Sequence, residues 1–553
     1  MMNFVNGWFS LLVLLLPVPA LLAGVIPQPR EIAFRGGTYL APAGFFDTAA
    51  EKWTRDASLP PEGYAVEVSS NGVAISAADA AGAFYAVETL KQLSPVNSRG
   101  LSHRQLLELR RSVCAETPLN PHVNRQTVEL VEAIKGSYGG DTWAIPCCTI
   151  RDWPAYRWRA LMLDEGRHFF GKEYVLSLFD RMAQHKLNVF HWHLTEDQGW
   201  RLDLPGLHEL VEYGAKRPRS VAYRTPVAYP KGFNEPSTYF ENDEPYGPYF
   251  YTVEDVKEIL AFAKARHIKV MPEIEFPGHA RALLAAHPEF SCKGDLPRIP
   301  RINWSIEKDV LCVGNDAAVK FLEDVFDEVC ALFPDTPYIH IGGDECPRVR
   351  WKECPKCQTR IKAEGLKDES ALQPWITSRF LKFLAARGKR TLGWDCYLLG
   401  GDVPTTAIGM SWRLRRHPTQ PWASSGEFAS RGYDLVITHS DFCYLDYPQG
   451  LKDDPFPYFG GRQVPLAKCY ALDPLAGIAE KDRHHILGGQ GSCWSESTWN
   501  RFDLEWKTWP RMCALAEVFW TGSKRPGFDD FKARMKTHRA RLVAAHVNCA
   551  PLE

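Results

Sequence analysis

Short apolar runs alternate with amphipathic stretches from residue 157 to the C-terminal part of the chain. Eight runs have the length and the bulky composition of buried strands. They are Ala160–Leu163, Val189–His193, Val270–Ile274, Tyr338–Ile341, Thr391–Trp394, Ala407–Ser411, Leu435–Thr438 and Ile486–Gly488. Most of the intervening stretches carry apolar residues at helical spacing, as Val175, Leu178 and Met182 do. Successive strand–helix units predict an α/β fold, a (β/α)8 barrel of the TIM type with helices outside the parallel strands.

The pattern before residue 150 is different and predicts a separate unit. Tyr64–Val68 and Val73–Ser76 alternate in polarity as strands do, and Ala80–Leu93 carries apolar residues at helical spacing. We therefore expect an α+β accessory domain over residues 24–150, the barrel over 151–525, and a C-terminal helix within 526–553 that packs on the barrel.

The N-terminus carries an apolar segment, residues 8–23, that prolines interrupt and small residues end. It is too short for a comfortable membrane span and is typical of a signal peptide over residues 1–23. This predicts export to the periplasm or the extracellular space. Later segments have no continuous apolar run of membrane length, so no stable membrane span is expected. The net charge of −1, without a basic cluster, argues against a nucleic-acid partner.

The fifteen cysteines do not have the density of a disulfide scaffold. Cys292 and Cys312 flank one loop-like segment and are the best candidates for a disulfide. Cys354 and Cys357 form a lone CxxC pair, with Cys346 nearby, and such a pair alone is a weak metal motif. We predict no cofactor and no metal, and leave open whether Cys354 and Cys357 bind one.

Two adjacent acids, Asp344 and Glu345, stand at the end of the apolar run that begins at Tyr338. Gly342 and Gly343 precede them and allow a sharp turn or a close approach. At a strand end that opens into a loop, neighbouring side chains can diverge, so that two acids meet one substrate at different atoms.

Polar and aromatic residues also follow the other predicted strands. In a parallel barrel the functional groups collect at the carboxyl ends of the strands. The candidates there are Asp164, Arg167, Glu196, Asp197, Glu275, His279, Trp394, Asp395, Trp412, Tyr444, Asp446, Trp494 and Glu496, with Arg159 before the first strand. Acids, aromatic rings and an arginine together are typical of a site that binds and cleaves a sugar.

The stretch from His340 to Glu345, His-Ile-Gly-Gly-Asp-Glu, resembles the motif of the family 20 glycoside hydrolases, the β-N-acetylhexosaminidases. Matching motifs cover nearly the whole chain after the N-terminal segment. They are Tyr156–Asp164, His193–Trp200, Pro277–His279, Gly393–Asp395, Met410–Trp412 and Tyr444–Asp446. The chain departs from the family pattern at Glu275 and Glu196, where aspartate is usual or common, and in Gly491–Cys493. The unit that opens with Ile26–Pro29 resembles the accessory domain of this family.

The resemblance implies an exo-acting, retaining glycosidase that removes terminal non-reducing β-linked N-acetylhexosamine from glycans or glycoconjugates. In this family the substrate's own acetamide attacks the anomeric carbon. Asp344 would orient the acetamide and Glu345 would be the acid and base, with a pKa raised by burial and by Asp344. The other implied roles are a relay to Glu345 through Asp197 and His279, rings around the sugar from Trp394, Trp412 and Trp494, an acetamide contact from Tyr444, and hydroxyl contacts from Arg159, Asp446 and Glu496.

Two other classes of function remain open from the residues alone. A metallohydrolase on the same barrel could use His191, His193 and His279, because an HxH pair at a strand end is a common ligand arrangement. A non-catalytic glycan-binding protein could use the same aromatic rings. The sequence leaves undetermined the choice between GlcNAc and GalNAc, the linkage, the natural glycan and the oligomeric state.

Overall fold

The computed structural model describes residues 24–42, 44–94, 143–222, 240–242, 244–399, 403–414, 423–451, 454 and 462–552. The predicted signal peptide, residues 1–23, lies outside the described residues. Among the helices of the described ranges, none combines the length and the apolar character needed to cross a membrane.

The N-terminal unit is a five-stranded sheet with helices. Its strands are β1 (Glu31–Ala41), β2 (Thr54–Arg55), β3 (Tyr64–Ser69), β4 (Gly72–Ala77) and β5 (Trp143–Asp152), and its helices are α1 (Phe45–Ala49) and α2 (Ala80–Leu93). The order across the sheet is β1-β5-β3-β4-β2. Helix α2 has the predicted bounds, and Asp79 caps it by accepting a hydrogen bond from the backbone N–H of Gly82 at 2.9 Å.

Eight parallel strands close into a barrel, as predicted. They are β6 (Trp158–Asp164), β7 (Val189–His193), β12 (Lys269–Glu273), β13 (Tyr338–His340), β14 (Arg390–Trp394), β15 (Ile408–Ser411), β16 (Asp434–Ile437) and β17 (Ile486–Cys493). Each contains or overlaps a predicted run. Strand β17 continues well past its predicted end at Gly488, because Gly489 and Gly491 interrupt the apolar pattern without ending the pairing with β6.

Short strands and helices fill the connections. The short strands are β8 (Thr195–Glu196), β9 (Gly199–Trp200), β10 (Ser220–Ala222) and β11 (Phe240–Asn242). The helices are α3 (Lys172–Gln184), α4 (Glu209–Gly214), α5 (Val253–Lys264), α6 (Arg281–Ala286), α7 (Asp316–Leu332), α8 (Val349–Glu353), α9 (Pro355–Ala363), α10 (Leu372–Ala385), α11 (Ser425–Ser430), α12 (Ser440–Cys443), α13 (Leu466–Tyr470), α14 (Arg501–Thr508), α15 (Arg511–Thr521) and α16 (Phe528–Ala544). Helix α16 is joined to α15 by a buried ion pair between Arg534 and Glu517 at 2.7 Å.

Buried charged groups join the accessory sheet to the amino-terminal end of the barrel. Asp152 at the end of β5 accepts hydrogen bonds from Lys186 Nζ at 3.0 Å and from Trp520 Nε1 at 2.9 Å. The Tyr64 hydroxyl donates to the same carboxylate at 2.7 Å. These contacts hold the accessory domain at the end of the barrel opposite to the carboxyl ends of the strands.

The predicted disulfide between Cys292 and Cys312 is wrong. Each described cysteine is a free thiol. The sulfurs of Cys292 and Cys312 both face the sulfur of Cys357, at 3.8 Å and 3.7 Å. Sequence spacing does not reveal this third thiol, because Cys357 comes from the following strand–helix connection.

Candidate active site

The two glycines after β13 shape the turn that carries the adjacent acids. Gly342 has a φ of 62°, and a Cβ atom there would lie 1.6 Å from Oε2 of Glu275. No other residue type fits that position without moving the neighbouring carboxylate. Below the turn, His340 Nδ1 pairs with Glu273 Oε1 at 2.7 Å inside the barrel. The buried pair of His340 and Glu273 therefore supports the turn from inside the barrel.

Asp344 and Glu345 diverge from this turn toward one imidazole. His279 Nε2 lies 3.8 Å from Asp344 Oδ2 and 3.6 Å from Glu345 Oε2. The side chain of Asp344 is 14% exposed and that of Glu345 is 37% exposed. His279 and Glu345 have φ values of 48° and 45°. These values lie in the left-handed region, which residues other than glycine rarely adopt. Such strain persists only where the surrounding structure imposes it, and it concentrates at functional sites.

His279 is held by two neighbouring acids on β8 and its turn. Its Nδ1 lies 2.7 Å from Glu196 Oε1 and 3.5 Å from Asp197 Oδ2. Burial alone would lower the pKa of His279, but the charges of Glu196 and Asp344 outweigh it and raise the pKa well above the usual value. The imidazole is therefore a cation between two acidic pairs. The family resemblance implies Asp197 as the partner of His279 in this relay, whereas Glu196 lies closer to the imidazole in the structure.

The two acids of the turn have opposite pKa shifts. Burial, reinforced by the charge of Glu345, raises the pKa of Asp344 to about 6 despite His279. Burial also acts to raise the pKa of Glu345, but the hydrogen bond and charge of His279, with help from Arg167, lower it overall. The expectation of a raised pKa for Glu345 is wrong, because the cationic imidazole of His279 lies closer to this carboxylate than the sequence could indicate.

Aromatic rings from four successive barrel strands gather beside the acids. The ring centroids of Trp394 and Trp494 are 5.3 Å apart, and those of Tyr444 and Trp494 are 5.8 Å apart. Trp412 is stacked parallel to Tyr444 at 6.3 Å. Trp394 is fixed from below, since its indole N–H donates to Glu273 at 2.9 Å. The predicted tryptophans and Tyr444 thus line one pocket.

Arg159, predicted to contact the sugar, is at the wrong end of the barrel. Its guanidinium is buried against the accessory domain, where it pairs with Glu62 at 2.8 Å and donates to the carbonyl of Lys186 at 2.7 Å. The arginine of the pocket is Arg167, which pairs with Asp164 and Glu196, each at 3.1 Å. Arg159 is the second residue of β6 and Arg167 follows the carboxyl end of that strand, so strand direction alone distinguishes them.

Two further predicted acids lie on the side of the pocket formed after β16 and β17. Arg167 Nη2 is 3.8 Å from Glu496 Oε1, and the Arg167 guanidinium lies 5.1 Å from the centre of the Trp494 ring. Burial and the nearby charge of Glu496 raise the pKa of Asp446 to about 8. Among the described residues, no protein group hydrogen-bonds to Oδ1 of Asp446 or Oδ1 of Asp344. Both oxygens are buried acceptors that no described protein group satisfies.

The histidines of the HxH pair have partners inside the barrel. His191 Nε2 lies 2.7 Å from Glu273 Oε2, and its Nδ1 lies 3.2 Å from the side-chain oxygen of Gln490. His193 Nδ1 lies 3.2 Å from Asp164 Oδ1. Both rings therefore buttress the carboxylates beneath the pocket, whereas His279 has Glu196 as its closest partner.

Comparison with known proteins places both units of the chain. Residues 156–523 match the catalytic domain of glycosyl hydrolase family 20, and residues 41–153 match domain 2 of that family. A β-hexosaminidase of Porphyromonas gingivalis is 37% identical over 503 residues, covering 89% of this chain and 55% of its own length. One of Akkermansia muciniphila is 32% identical, covering 74% of this chain and 78% of its own length.

Solved structures agree with these matches. The exo β-N-acetylglucosaminidase of Vibrio harveyi in complex with N-acetylglucosamine superposes with a TM-score of 0.74 at 26% identity, covering 95% of this chain and 78% of its own. A mutant β-hexosaminidase of Streptomyces plicatus with GlcNAc gives 0.72 at 26%, covering 96% and 98%. With the catalytic-domain match spanning the whole barrel, the chain belongs to glycosyl hydrolase family 20.

Proposed function

We propose that this protein is an exo-acting, retaining β-N-acetylhexosaminidase that removes terminal non-reducing GlcNAc or GalNAc from glycans. The observation that carries the proposal is the pair Asp344 and Glu345, which diverge from a glycine turn toward one cationic imidazole. The aromatic pocket beside them suits a pyranose ring. The Vibrio harveyi neighbour, described as an exo β-N-acetylglucosaminidase in complex with N-acetylglucosamine, supports the substrate class.

The first step is an attack by the substrate on itself. The acetamide oxygen bonds to the anomeric carbon, the glycosidic bond breaks, and Glu345 gives its proton to the leaving oxygen. The acetamide nitrogen becomes partly positive as the oxazolinium ring forms. Asp344 accepts its N–H and stabilises that charge, which a buried, pre-positioned carboxylate does more effectively than water.

The second step reverses the roles of Glu345. It takes a proton from a water molecule, whose oxygen attacks the anomeric carbon from the side of the departed group. The oxazolinium ring opens, and the acetamide is regenerated. Each step inverts the anomeric carbon, so the product keeps the β configuration of the substrate. The proton that the leaving group received is replaced by the proton from water, and Glu345 ends as it began.

The remaining residues position the sugar and supply protons. Tyr444 donates its hydroxyl to the acetamide oxygen; burial first, and then the charges around it, hold its pKa well above the usual value, so it stays a donor. Trp394, Trp412 and Trp494 enclose the acetamide and the ring face. Asp446 and Glu496, with Arg167 replacing the predicted Arg159, bind the hydroxyls.

The relay adjusts the protonation of the pair. His279 stays cationic because Asp197 and Glu196 face it. The cationic imidazole lowers the pKa of Glu345, so below the pKa of about 6 at Asp344 the proton of the pair lies chiefly on Asp344. When the acetamide N–H reaches Asp344, that carboxyl must ionise, and the proton becomes available on Glu345. Substrate binding and the protonation of the general acid Glu345 are thereby linked.

The test is the release of product from chito-oligosaccharides labelled at the reducing end, followed by proton NMR. We expect single GlcNAc units from the unlabelled end, with the β anomer appearing first. Early α anomer would contradict retention, and internal cleavage would contradict exo action. Glu345→Gln serves as the matched chemical control, and no turnover in either protein would favour a binding protein.

We also propose that residues 1–23 direct export to the periplasm or the extracellular space. The support is the composition of this apolar segment. N-terminal sequencing of protein recovered outside the cytoplasm should begin near residue 24. An intact N-terminus on cytoplasmic protein would contradict the proposal.

A further inference from the structure

Four cysteine sulfurs converge beside the pocket, outside the groups that face the sugar. Cys292, Cys312, Cys354 and Cys357 each offer a sulfur, and the four sulfurs lie within 4.8 Å of one another. The Cys312 sulfur is 3.6 Å from that of Cys354 and 3.7 Å from that of Cys357, and Cys292 is 3.8 Å from Cys357. Three of these side chains are buried and Cys292 is half-buried.

These separations have the geometry of a metal–thiolate tetrahedron. Zinc bonds to sulfur at about 2.3 Å, which puts neighbouring sulfurs about 3.8 Å apart. A disulfide holds its sulfurs about 2.05 Å apart and gives each sulfur one partner. Cys312 instead lies almost equally near two sulfurs. We propose that Cys292, Cys312, Cys354 and Cys357 bind one structural zinc ion.

The local backbone suits a compact, negatively charged centre. Cys354 occupies the N-cap position of helix α9, and Cys357 lies in the first turn, where the free N–H groups and the helix dipole favour thiolates. Binding zinc releases one proton from each of the four thiols and leaves a centre of net charge −2. Soft thiolate ligands in a closed tetrahedral set select zinc over the harder divalent ions.

The ligands come from two different connections, so the ion would tie them together. Cys292 and Cys312 lie between β12 and α7, and Cys354 and Cys357 follow β13. The two connections also meet directly, since Trp351 Nε1 donates to the carbonyl of Leu311 at 2.9 Å. A Cβ atom on Gly314 would lie 2.3 Å from the carbonyl carbon of Lys356, so the backbones touch at this point.

A zinc ion at the four cysteines would also affect the geometry of the pocket. His279 lies near the start of the first connection, and Asp344 and Glu345 lie near the start of the second. The 3.6 Å separation between His279 Nε2 and Glu345 Oε2 depends on how the two connections are held together. Zinc at the four cysteines would therefore help to fix that separation.

The test measures metal in the untagged full-length protein after dialysis against metal-free buffer. We expect about one zinc ion per chain, with an X-ray absorption spectrum that fits four sulfurs at about 2.3 Å. Cobalt exchanged into the same protein should show the absorption of a tetrahedral four-thiolate site. These measurements on the wild-type protein do not depend on whether a variant folds.

Variants assign the ligands. Cys312→Ser and Cys354→Ser should each lose most of the zinc and have a lower Tm and a lower kcat/KM. The control is Cys330→Ser, on α7, which should keep the zinc content, Tm and kcat/KM of the wild type. Iron in place of zinc would overturn the assignment. So would a metal-free protein whose intact mass lacks two hydrogen atoms for each disulfide formed among the four cysteines. Zinc retained in full by both serine variants would also contradict it.

Discussion

The replacement of Asp344 by asparagine should separate stability from activity. The folded pKa of Asp344 is about 6 and its ordinary value is 3.8. A difference of about 2 corresponds to about 3 kcal/mol. For an acid whose pKa is raised by folding, the unfolded chain ionises first, so stability falls as pH rises from about 4 to 6 and the full cost is present above that range. Asp344→Asn removes this cost.

The same substitution should nearly abolish turnover. Opposite unit charges about 4 Å apart interact by about 4 kcal/mol at the effective dielectric constant of about 20 that applies near a protein surface. Loss of that interaction with the developing oxazolinium corresponds to about a thousandfold fall in kcat/KM. The neutral amide that Asp344→Asn introduces cannot supply the missing charge, although it retains the shape of the carboxylate.

The assay compares urea unfolding of the wild type and Asp344→Asn at pH 7.5 and at pH 4, together with kcat/KM. We expect the variant to be up to about 3 kcal/mol more stable at pH 7.5, with the advantage gone near pH 4. Glu345→Gln is the matched control. Its parent carboxylate has a lowered pKa, so this variant should lose stability at pH 7.5. A destabilised Asp344→Asn at pH 7.5, or an advantage independent of pH, would refute the reasoning.

Three further outcomes follow from the pocket. The acidic pair holds one proton only below the pKa of about 6 at Asp344, so kcat/KM should fall as pH rises above that value; a plateau to pH 8 would contradict it. Arg167→Lys should raise KM about tenfold, whereas Arg159→Lys should leave KM unchanged and lower Tm, because only the first faces the sugar. If Arg159→Lys raised KM and Arg167→Lys did not, Arg159 would be the arginine that contacts the sugar. Gly342→Ala would place a Cβ atom 1.6 Å from Glu275, so folded protein, where obtained, should lose activity at least about 100-fold; near-normal turnover would mean that the turn is not required.

The barrel was predictable because its strands are buried on both faces and therefore appear as continuous apolar runs. The run from Tyr338 to Ile341 coincides with β13 apart from its last residue. The end of β17 was not predictable in this way, because the glycines after Gly488 lack the side chains that form an apolar pattern while their backbones still pair with β6.

The site was predictable where a strand end fixes the position of a side chain. Asp344, Trp394 and Trp494 lie in one pocket because each stands at or just after the carboxyl end of a parallel strand. The prediction for Arg159 was wrong for the same reason. Arg159 lies at the amino end of its strand, and its side chain is buried at the opposite end of the barrel, against Glu62. The strand-end rule that identified the tryptophans also selected Arg167, whereas the role of Arg159 was implied only by the family resemblance.

Electrostatics and long-range pairing could not be derived from the sequence. The lowered pKa of Glu345 depends on the 3.6 Å approach of His279, which two residues in the left-handed region of backbone space make possible. The thiol cluster is similar, because Cys292 and Cys357 are 65 residues apart and lie in different connections. Both features arise from how connections of the barrel pack against each other.

The central claim is that the substrate's acetamide is the nucleophile. The most direct measurement compares kcat/KM for an aryl 2-acetamido-2-deoxy-β-glucoside with that for the plain aryl β-glucoside carrying the same leaving group. We predict rapid cleavage of the first and almost none of the second, because only the first carries the acetamide that Asp344 orients. Equal rates would contradict the account and would require a nucleophile supplied by the protein.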